Sequence, residues 1–301
     1  MSEEDKQSLD SLIASSDLPV WVPLPGPQTD AFNSQADILF YGGSAGGGKT
    51  DLVVGLALTE HFKSMIYRRH GTESQAILDR ISEILGGRDL YNGKEQVWRL
   101  NGRQIEHGSC PHLGDEKKYQ GRPHDLKAFD EITLFLEAQF RFLIGWLRSV
   151  RDGVRKRIVC TGNPPTDSDG EWVIRFWGPW LDPDHPNPAK PGELRWYTTI
   201  KGKDVECDGS DPVEINGKMV QPLSRTFIPA KVQDNPYLMA TGYESILQAL
   251  PEPLRSQMLE GDFMAGLGGD FGQGIDRNGL PVQAGEQVGQ GRDRAVLDYL
   301  I

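Results

Sequence analysis

The sequence predicts an α/β fold, a mainly parallel sheet with helices on both faces. Three observations carry this. Short apolar runs of four or five residues alternate with longer stretches of helical spacing. The segment YGGSAGGGKT, Tyr41 to Thr50, places five glycines between one such run and the helical pattern after it. The run Leu126 to Phe129 passes directly into two adjacent acids, Asp130 and Glu131. Apolar runs without polar alternation suit strands covered on both faces.

The elements follow in order. Residues 1–18 are acidic and polar and read as an amphipathic helix or a disordered arm, not a secretory signal. Residues 19–36, PVWVPLPGPQTDAFNSQA, are proline-rich and carry Gln28. Ile38 to Tyr41 is too short for a helix and reads as a buried strand. The glycine loop follows, then a helix from Asp51 to Phe62, so the order is strand, glycine loop, helix. A second strand is expected at Ser64 to Tyr67 and a helix around Glu73 to Leu85. Residues 97–107 read as a β-hairpin turning at Asn101-Gly102. Leu126 to Phe129 is a further strand. Residues 133–150 read as one long apolar helix, and Arg157 to Thr161 as another strand. The four prolines of residues 181–193 exclude helix and central strand. Residues 194–228 hold β-like pieces with a turn at Asn216-Gly217, a small β-rich appendage or a sheet extension. Residues 236–260 return to helical spacing, and from Ala265 to Ile301 nine glycines suggest a linker or disorder.

Composition narrows the function classes. No apolar run approaches the roughly 18 residues of a membrane span. The three cysteines, Cys110, Cys160 and Cys207, are too few and too dispersed for a disulfide framework. The net charge of −11 excludes a generic nucleic-acid coat, so any DNA contact must be a local basic patch or arise in an assembled ring.

Gly43, Ser44, Ala45, Gly46, Gly47, Gly48, Lys49 and Thr50 fit G-x-x-x-x-G-K-[ST], in the required context of a strand before and a helix after. Such a loop turns backbone N–H groups around phosphate oxygens, and the following helix adds its positive end. Lys49 would reach the β- and γ-phosphates of ATP and the Thr50 hydroxyl would ligate Mg²⁺. The competing reading is a plain glycine-rich turn. Asp130 supplies a strand-end carboxylate that would hold Mg²⁺ through water, and Glu131 a carboxylate that would polarise the attacking water. Alternatively the two acids serve a helix dipole. Thr161, Gly162 and Asn163 end the next strand, where a polar side chain could report the γ-phosphate, or where the chain simply turns.

Taken together, PQTDAF, LFYGGSAGGGKT, YQGRPHDLKAFDE, CTGNPP and SRTFIPAKVQDNPYL resemble the large terminase subunit of tailed bacteriophages, over about residues 20–263. The resemblance implies a P-loop NTPase of the additional-strand type with a small β-rich and helical lid. It implies an ATP-driven motor that moves double-stranded viral DNA into a procapsid, in the host cytoplasm at the portal vertex. The implied partners are the portal protein, the small terminase subunit and further copies of the chain in a ring. By this match Gln28 would lie near the adenine, Gly43 to Thr50 would be Walker A, and Asp130 and Glu131 would be Walker B and the catalytic glutamate. Thr161 to Asn163 would be the coupling motif. The implied layout is an arm at 1–18, an ATPase core at 19–180, a lid and sheet extension at 181–263 and a glycine-rich tail at 264–301. Members of the family usually continue into a nuclease domain. The tail is too short and too polar for one, and Asp262, Asp270 and Asp276 are scattered, so no nuclease activity is expected of this chain. An arginine finger is expected near the γ-phosphate. Arg68, Arg69 and Arg122 are candidates, each of which could instead be an ordinary surface or salt-bridged arginine.

Other features compete for attention. Cys110, His112 and His124 fit no standard zinc spacing. The Trp-rich run at residues 171–180 could stack on bases but reads better as core. Arg148, Arg151, Arg155, Lys156 and Arg157 could touch DNA phosphates or cap the long helix. Two other functions remain open: a helicase-like ATPase unconnected to packaging, and a subunit that binds ATP without turnover. The first lacks room for a second RecA-like domain, and the second has no use for Glu131.

Overall fold

The computed structural model describes residues 19–267. The expected arm at residues 1–18 and the glycine-rich tail from residue 268, with Asp270 and Asp276, lie outside the described residues. Each short apolar run becomes a buried strand. The main sheet contains β1 (Ile38–Gly43), β2 (Lys63–Arg68), β3 (Tyr91–Asn92), β4 (Val97–Leu100), β5 (Arg103–Ser109), β6 (Leu126–Phe129), β7 (Arg157–Gly162), β8 (Arg195–Ile200) and β9 (Lys203–Cys207). β10 (Val213–Ile215) and β11 (Lys218–Val220) form a separate hairpin, and β12 (Leu223–Ala230) returns to the main sheet. The order is β3-β4-β5-β2-β6-β7-β1-β12-β8-β9. From β5 to β12 every pairing is parallel, and both flanks are antiparallel. β7 lies between β1 and β6, so one additional strand separates the glycine-loop strand from the strand that carries the acids.

Side-chain alternation along β1 divides the core. Leu39 and Tyr41 face a cluster built with Leu52, Val53 and Leu56 of α2 (Lys49–Thr59) and Ile77 and Ile81 of α3 (Ser74–Leu85). Ile38 and Phe40 face a second cluster, with Phe140 and Leu143 of α4 (Glu137–Ile144) and Trp172 and Phe176 of α5 (Trp172–Phe176). Trp177, just before α6 (Gly178–Leu181), lies in the same cluster. Period-two alternation thus sends successive residues of one strand into opposite helical layers.

Two hairpin turns, β4–β5 and β10–β11, fall on Asn-Gly, and a third, β8–β9, on Lys201-Gly202. Asn101 and Gly102 have φ of 47° and 73°, and Asn216 and Gly217 have 51° and 75°. Two successive positive φ values suit the twist of a two-residue hairpin, and Asn and Gly are the residues that tolerate them.

Three stretches differ from the sequence expectation. The apolar run at 133–150 holds helix only over α4. Residues 132–134 form a 3₁₀ turn, Phe135 and Leu136 are extended, and Gly145 caps the end. Ile132, Phe135, Phe140 and Leu143 are all fully buried, so packing satisfies this run without a continuous helix. Residues 236–260 divide into α7 (Pro236–Met239), α8 (Tyr243–Gln248) and a π turn at Ser256–Glu260. Gly242, at φ 75°, and the prolines at 251 and 253 account for the breaks. The basic cluster also divides. Arg157 is buried and donates to the carbonyls of Ala31 and Phe32, both at 3.1 Å, at the end of α1 (Pro27–Asn33). Arg155 donates to Ser34 and Ala36 at 2.7 and 3.0 Å. These two arginines satisfy the open carbonyls after a short helix, a different role from either DNA contact or capping of the 133–150 segment.

Candidate nucleotide-binding site

The site forms at the C-terminal ends of the parallel strands, where open α/β sheets present their loops. The glycine loop leaves β1 and enters α2. Gly43 has φ 142°, and a Cβ there would lie 2.4 Å from the Ala230 carbonyl oxygen, so only glycine fits beside β12. Gly48 has φ 73°, and a Cβ would lie 2.7 Å from the Gln28 side-chain nitrogen. The loop is held from outside as well. Ser44 N–H donates to Ala230 at 2.9 Å, Ala45 N–H to Met258 at 2.7 Å, and the Asn235 amide to the Gly46 carbonyl at 2.9 Å.

A cavity of about 480 Å³ opens over this loop. Gly46, Gly47, Gly48, Lys49 and Thr50 line it from one side, Arg68, Glu131 and Asn163 from the sheet, and Asn235, Leu238 and Tyr243 from the far side. Lys49 Nζ donates to the Ser44 carbonyl at 2.6 Å and to Asn163 Oδ1 at 2.7 Å. The Thr50 hydroxyl donates to Asp130 Oδ2 at 2.8 Å. Thr161 Oγ1 donates to Asp130 Oδ1 at 2.6 Å. The Asn163 N–H donates to Glu131 Oε2 at 3.3 Å. Gly162 lies between them at the end of β7, opposite Gly42. Glu131 is buried at φ 60° and ψ 59°. This left-handed conformation costs a non-glycine residue about 1–3 kcal/mol and turns the side chain off the strand end.

The electrostatics follow from burial and the neighbours. Burial lowers the Lys49 pKa, against the pull of Glu131 and Asp130. Burial raises the Glu131 carboxyl, against the Lys49 charge. Burial pushes Asp130 up too, but the Arg68 guanidinium and hydrogen bonds from Thr161, Arg68 and Thr50 hold it below the ordinary aspartate range. The Thr50 hydroxyl and the Asp130 carboxylate are adjacent hard oxygen donors. That donor set fits Mg²⁺, which keeps waters and takes its other oxygens from phosphate.

The three arginine candidates separate. Arg68 lines the cavity and bonds Asp130. Arg69 is turned into the core against Gln139. Arg122 pairs with Glu106, away from the cavity lining. Gln28 is buried behind the loop. Its carbonyl oxygen accepts from Leu24 N–H at 2.6 Å and its amide donates to Gly48 at 2.8 Å, so both ends are engaged and the residue does not line the cavity. Sequence reasoning missed Asn235, Leu238 and Tyr243 as lining residues. For Asn235 and Leu238 the only signal is the segment DNPYL, which reads locally as a helix start, and Tyr243 lies in the helical stretch after it. Zinc finds no support: among the described residues no group of three or more metal-ligating side chains forms. His124 instead bonds Glu106 at 3.2 Å.

No family model matches the sequence, and no curated protein matches it. Solved structures of the large terminase from a thermophilic bacteriophage share its fold. The complex with ATP-gamma-S has a TM-score of 0.50 and 14% identity, over 80% of this chain and 53% of that chain. A second crystal form has 0.51 and 13%, over 79% and 53%. The complex with ADP has 0.51 and 15%, over 80% and 54%. The chain spans about half the length of the solved terminases it matches. The mainly parallel sheet, with β7 inserted between β1 and β6, is the P-loop NTPase fold of the phage large terminases.

Proposed function

We propose that this chain hydrolyses ATP with Mg²⁺ and acts as the ATPase part of a motor that moves double-stranded viral DNA into a procapsid. One observation carries the chemistry. Lys49, Thr50, Glu131 and Asn163 line one cavity, Lys49 and Glu131 both bonded to Asn163, and Asp130 lies buried behind Thr50, bonded to its hydroxyl. The thermophilic phage terminase, which shares the fold, is described with ATP-gamma-S and with ADP. That likeness supports the packaging reading.

The residues then divide the work. Gly46, Gly47 and Gly48 cradle the triphosphate with their N–H groups, those of Ser44 and Ala45 being held by Ala230 and Met258, and the N-terminus of α2 adds its positive end. Lys49 leaves its resting partners and reaches the β- and γ-phosphates. Thr50 and Asp130 would hold the metal, and Mg²⁺ there would neutralise negative charge on the triphosphate. Glu131 accepts the proton of the attacking water, and its raised pKa makes it a better base than an ordinary carboxylate. Asn163 touches both Lys49 and Glu131, so a change at the γ-phosphate alters its contacts and passes into the segment after β7. On this reading the chain works in a homo-oligomeric ring with a portal protein and a small terminase subunit, in the host cytoplasm at the portal vertex. Among the described residues no helix is long and apolar enough to cross a membrane.

Steady-state hydrolysis by the purified chain, over a range of protein concentrations with and without double-stranded DNA, tests the motor reading. Turnover per subunit is expected to rise with concentration and with DNA. A rate indifferent to both would favour an ATPase unconnected to packaging.

A further inference from the structure

We propose that Arg68 is the resident counter-cation of the metal position and that a divalent ion must displace it. The inference rests on the nucleotide-site reading above. Arg68 Nε and Nη2 donate to Asp130 Oδ2 at 2.9 and 2.6 Å, and Nη2 also reaches Thr50 Oγ1 at 3.3 Å. These are the two oxygens that fit the metal. Asp130 Oδ2 already accepts three hydrogen bonds, two from Arg68 and one from Thr50, which leaves it no place for an ion or a water bound to one while the guanidinium stays.

The arrangement follows from burial. Asp130 is fully buried, and an ionised carboxylate there needs a cation. Lys49 does not fill that need, because its ammonium is held by Ser44 and Asn163. Arg68 is 4% exposed and comes from the end of β2, which pairs directly with β6. The fork therefore meets the carboxylate from one side and the open cavity from the other. In the resting chain two cations, Lys49 and Arg68, face two acids, Asp130 and Glu131. Metal binding transfers Asp130 from the arginine to the ion and releases a guanidinium into the cavity it already lines. Arg68 is thus a positioning residue. It keeps the carboxylate ionised and aimed before the nucleotide arrives, and it sets the affinity of the empty site for metal.

The test is Mn²⁺ binding to the nucleotide-free full chain, read by loss of the free-ion EPR signal. Arg68→Gln removes the competitor and is expected to tighten Mn²⁺ binding by about tenfold or more. Arg68→Lys keeps a cation and should stay close to wild type. Asp130→Asn added to Arg68→Gln should abolish the gain. Thermal unfolding against Mn²⁺ concentration gives an independent readout. The wild-type midpoint should barely respond, whereas that of Arg68→Gln should begin lower and climb towards the wild-type value. Unchanged or weaker Mn²⁺ binding by Arg68→Gln, with Mn²⁺-ATP binding still lost in Asp130→Asn, overturns the role of Arg68 and leaves the site reading standing. Tight Mn²⁺ binding that survives the double substitution overturns the assignment of Asp130 itself.

Discussion

Lys127 carries an amine into the middle of the sheet. It lies on β6 three residues before Asp130 and is fully buried, with Nζ donating to the Tyr67 hydroxyl at 2.9 Å and to the Arg122 carbonyl at 3.3 Å. Burial lowers its pKa from the ordinary 10.5 to about 7. Between those values the unfolded chain holds the extra proton and the folded chain does not. Stability from this group therefore rises with pH across that window and is least below about 7. Lys127→Met removes the titration. Urea unfolding of both proteins at neutral pH and near pH 9 should show wild type gaining on the variant as pH rises. A constant difference would mean that Lys127 stays charged in the fold. In the sequence Lys127 is just one charged residue within a short strand, because its partners come from the neighbouring strand and the loop before it. The same holds for Arg68. Its arginine was visible beside a strand end, but its pairing with Asp130 depends on β2 and β6 lying side by side, which no local pattern encodes.

Among elements, the segment from α5 to α6 decides how the second layer is built. Trp177 is fully buried, and its indole N–H donates to the Thr226 carbonyl at 3.0 Å on β12. Its ring lies 4.9 Å from that of Phe40 on β1 and 4.6 Å from Phe176. It thereby ties the strand of the glycine loop to the strand that grips Gly43. Trp177→Ala should cost about 3–5 kcal/mol in urea unfolding, the usual range for a buried aromatic in a core. A loss below about 1 kcal/mol, read with the same measurement, would place Trp177 outside the cooperative core. Element type was legible wherever the signal was local. β1, β2, β6 and β7 were visible as short apolar runs, and both Asn-Gly hairpins as turn chemistry. It was not legible at residues 133–150 or 236–260. There, apolar residues are buried through extended and 3₁₀ backbone, or helices are cut by glycine and proline, and composition alone does not separate those cases.

On the scale of the whole molecule, strand order turns scattered motifs into one site. Thr50, Asp130 and Thr161 are far apart in sequence, yet Asp130 accepts from both hydroxyls, at 2.8 and 2.6 Å, because β6, β7 and β1 are neighbours. The glycine loop and the two acids could be recognised in the sequence through the spacing that phosphate and metal demand. The far wall of Asn235, Leu238 and Tyr243 could not, since it forms only when the chain returns through β12. The division of labour between Lys49 and Glu131 is tested most directly by equilibrium ATP binding and single-turnover hydrolysis on the same preparations. Lys49→Ala should lose ATP binding. Glu131→Gln, which keeps the shape, should bind Mg-ATP as wild type does and turn it over at least about 100-fold more slowly. Tight Mg-ATP binding by Lys49→Ala, or hydrolysis at the wild-type rate by Glu131→Gln, would contradict that division.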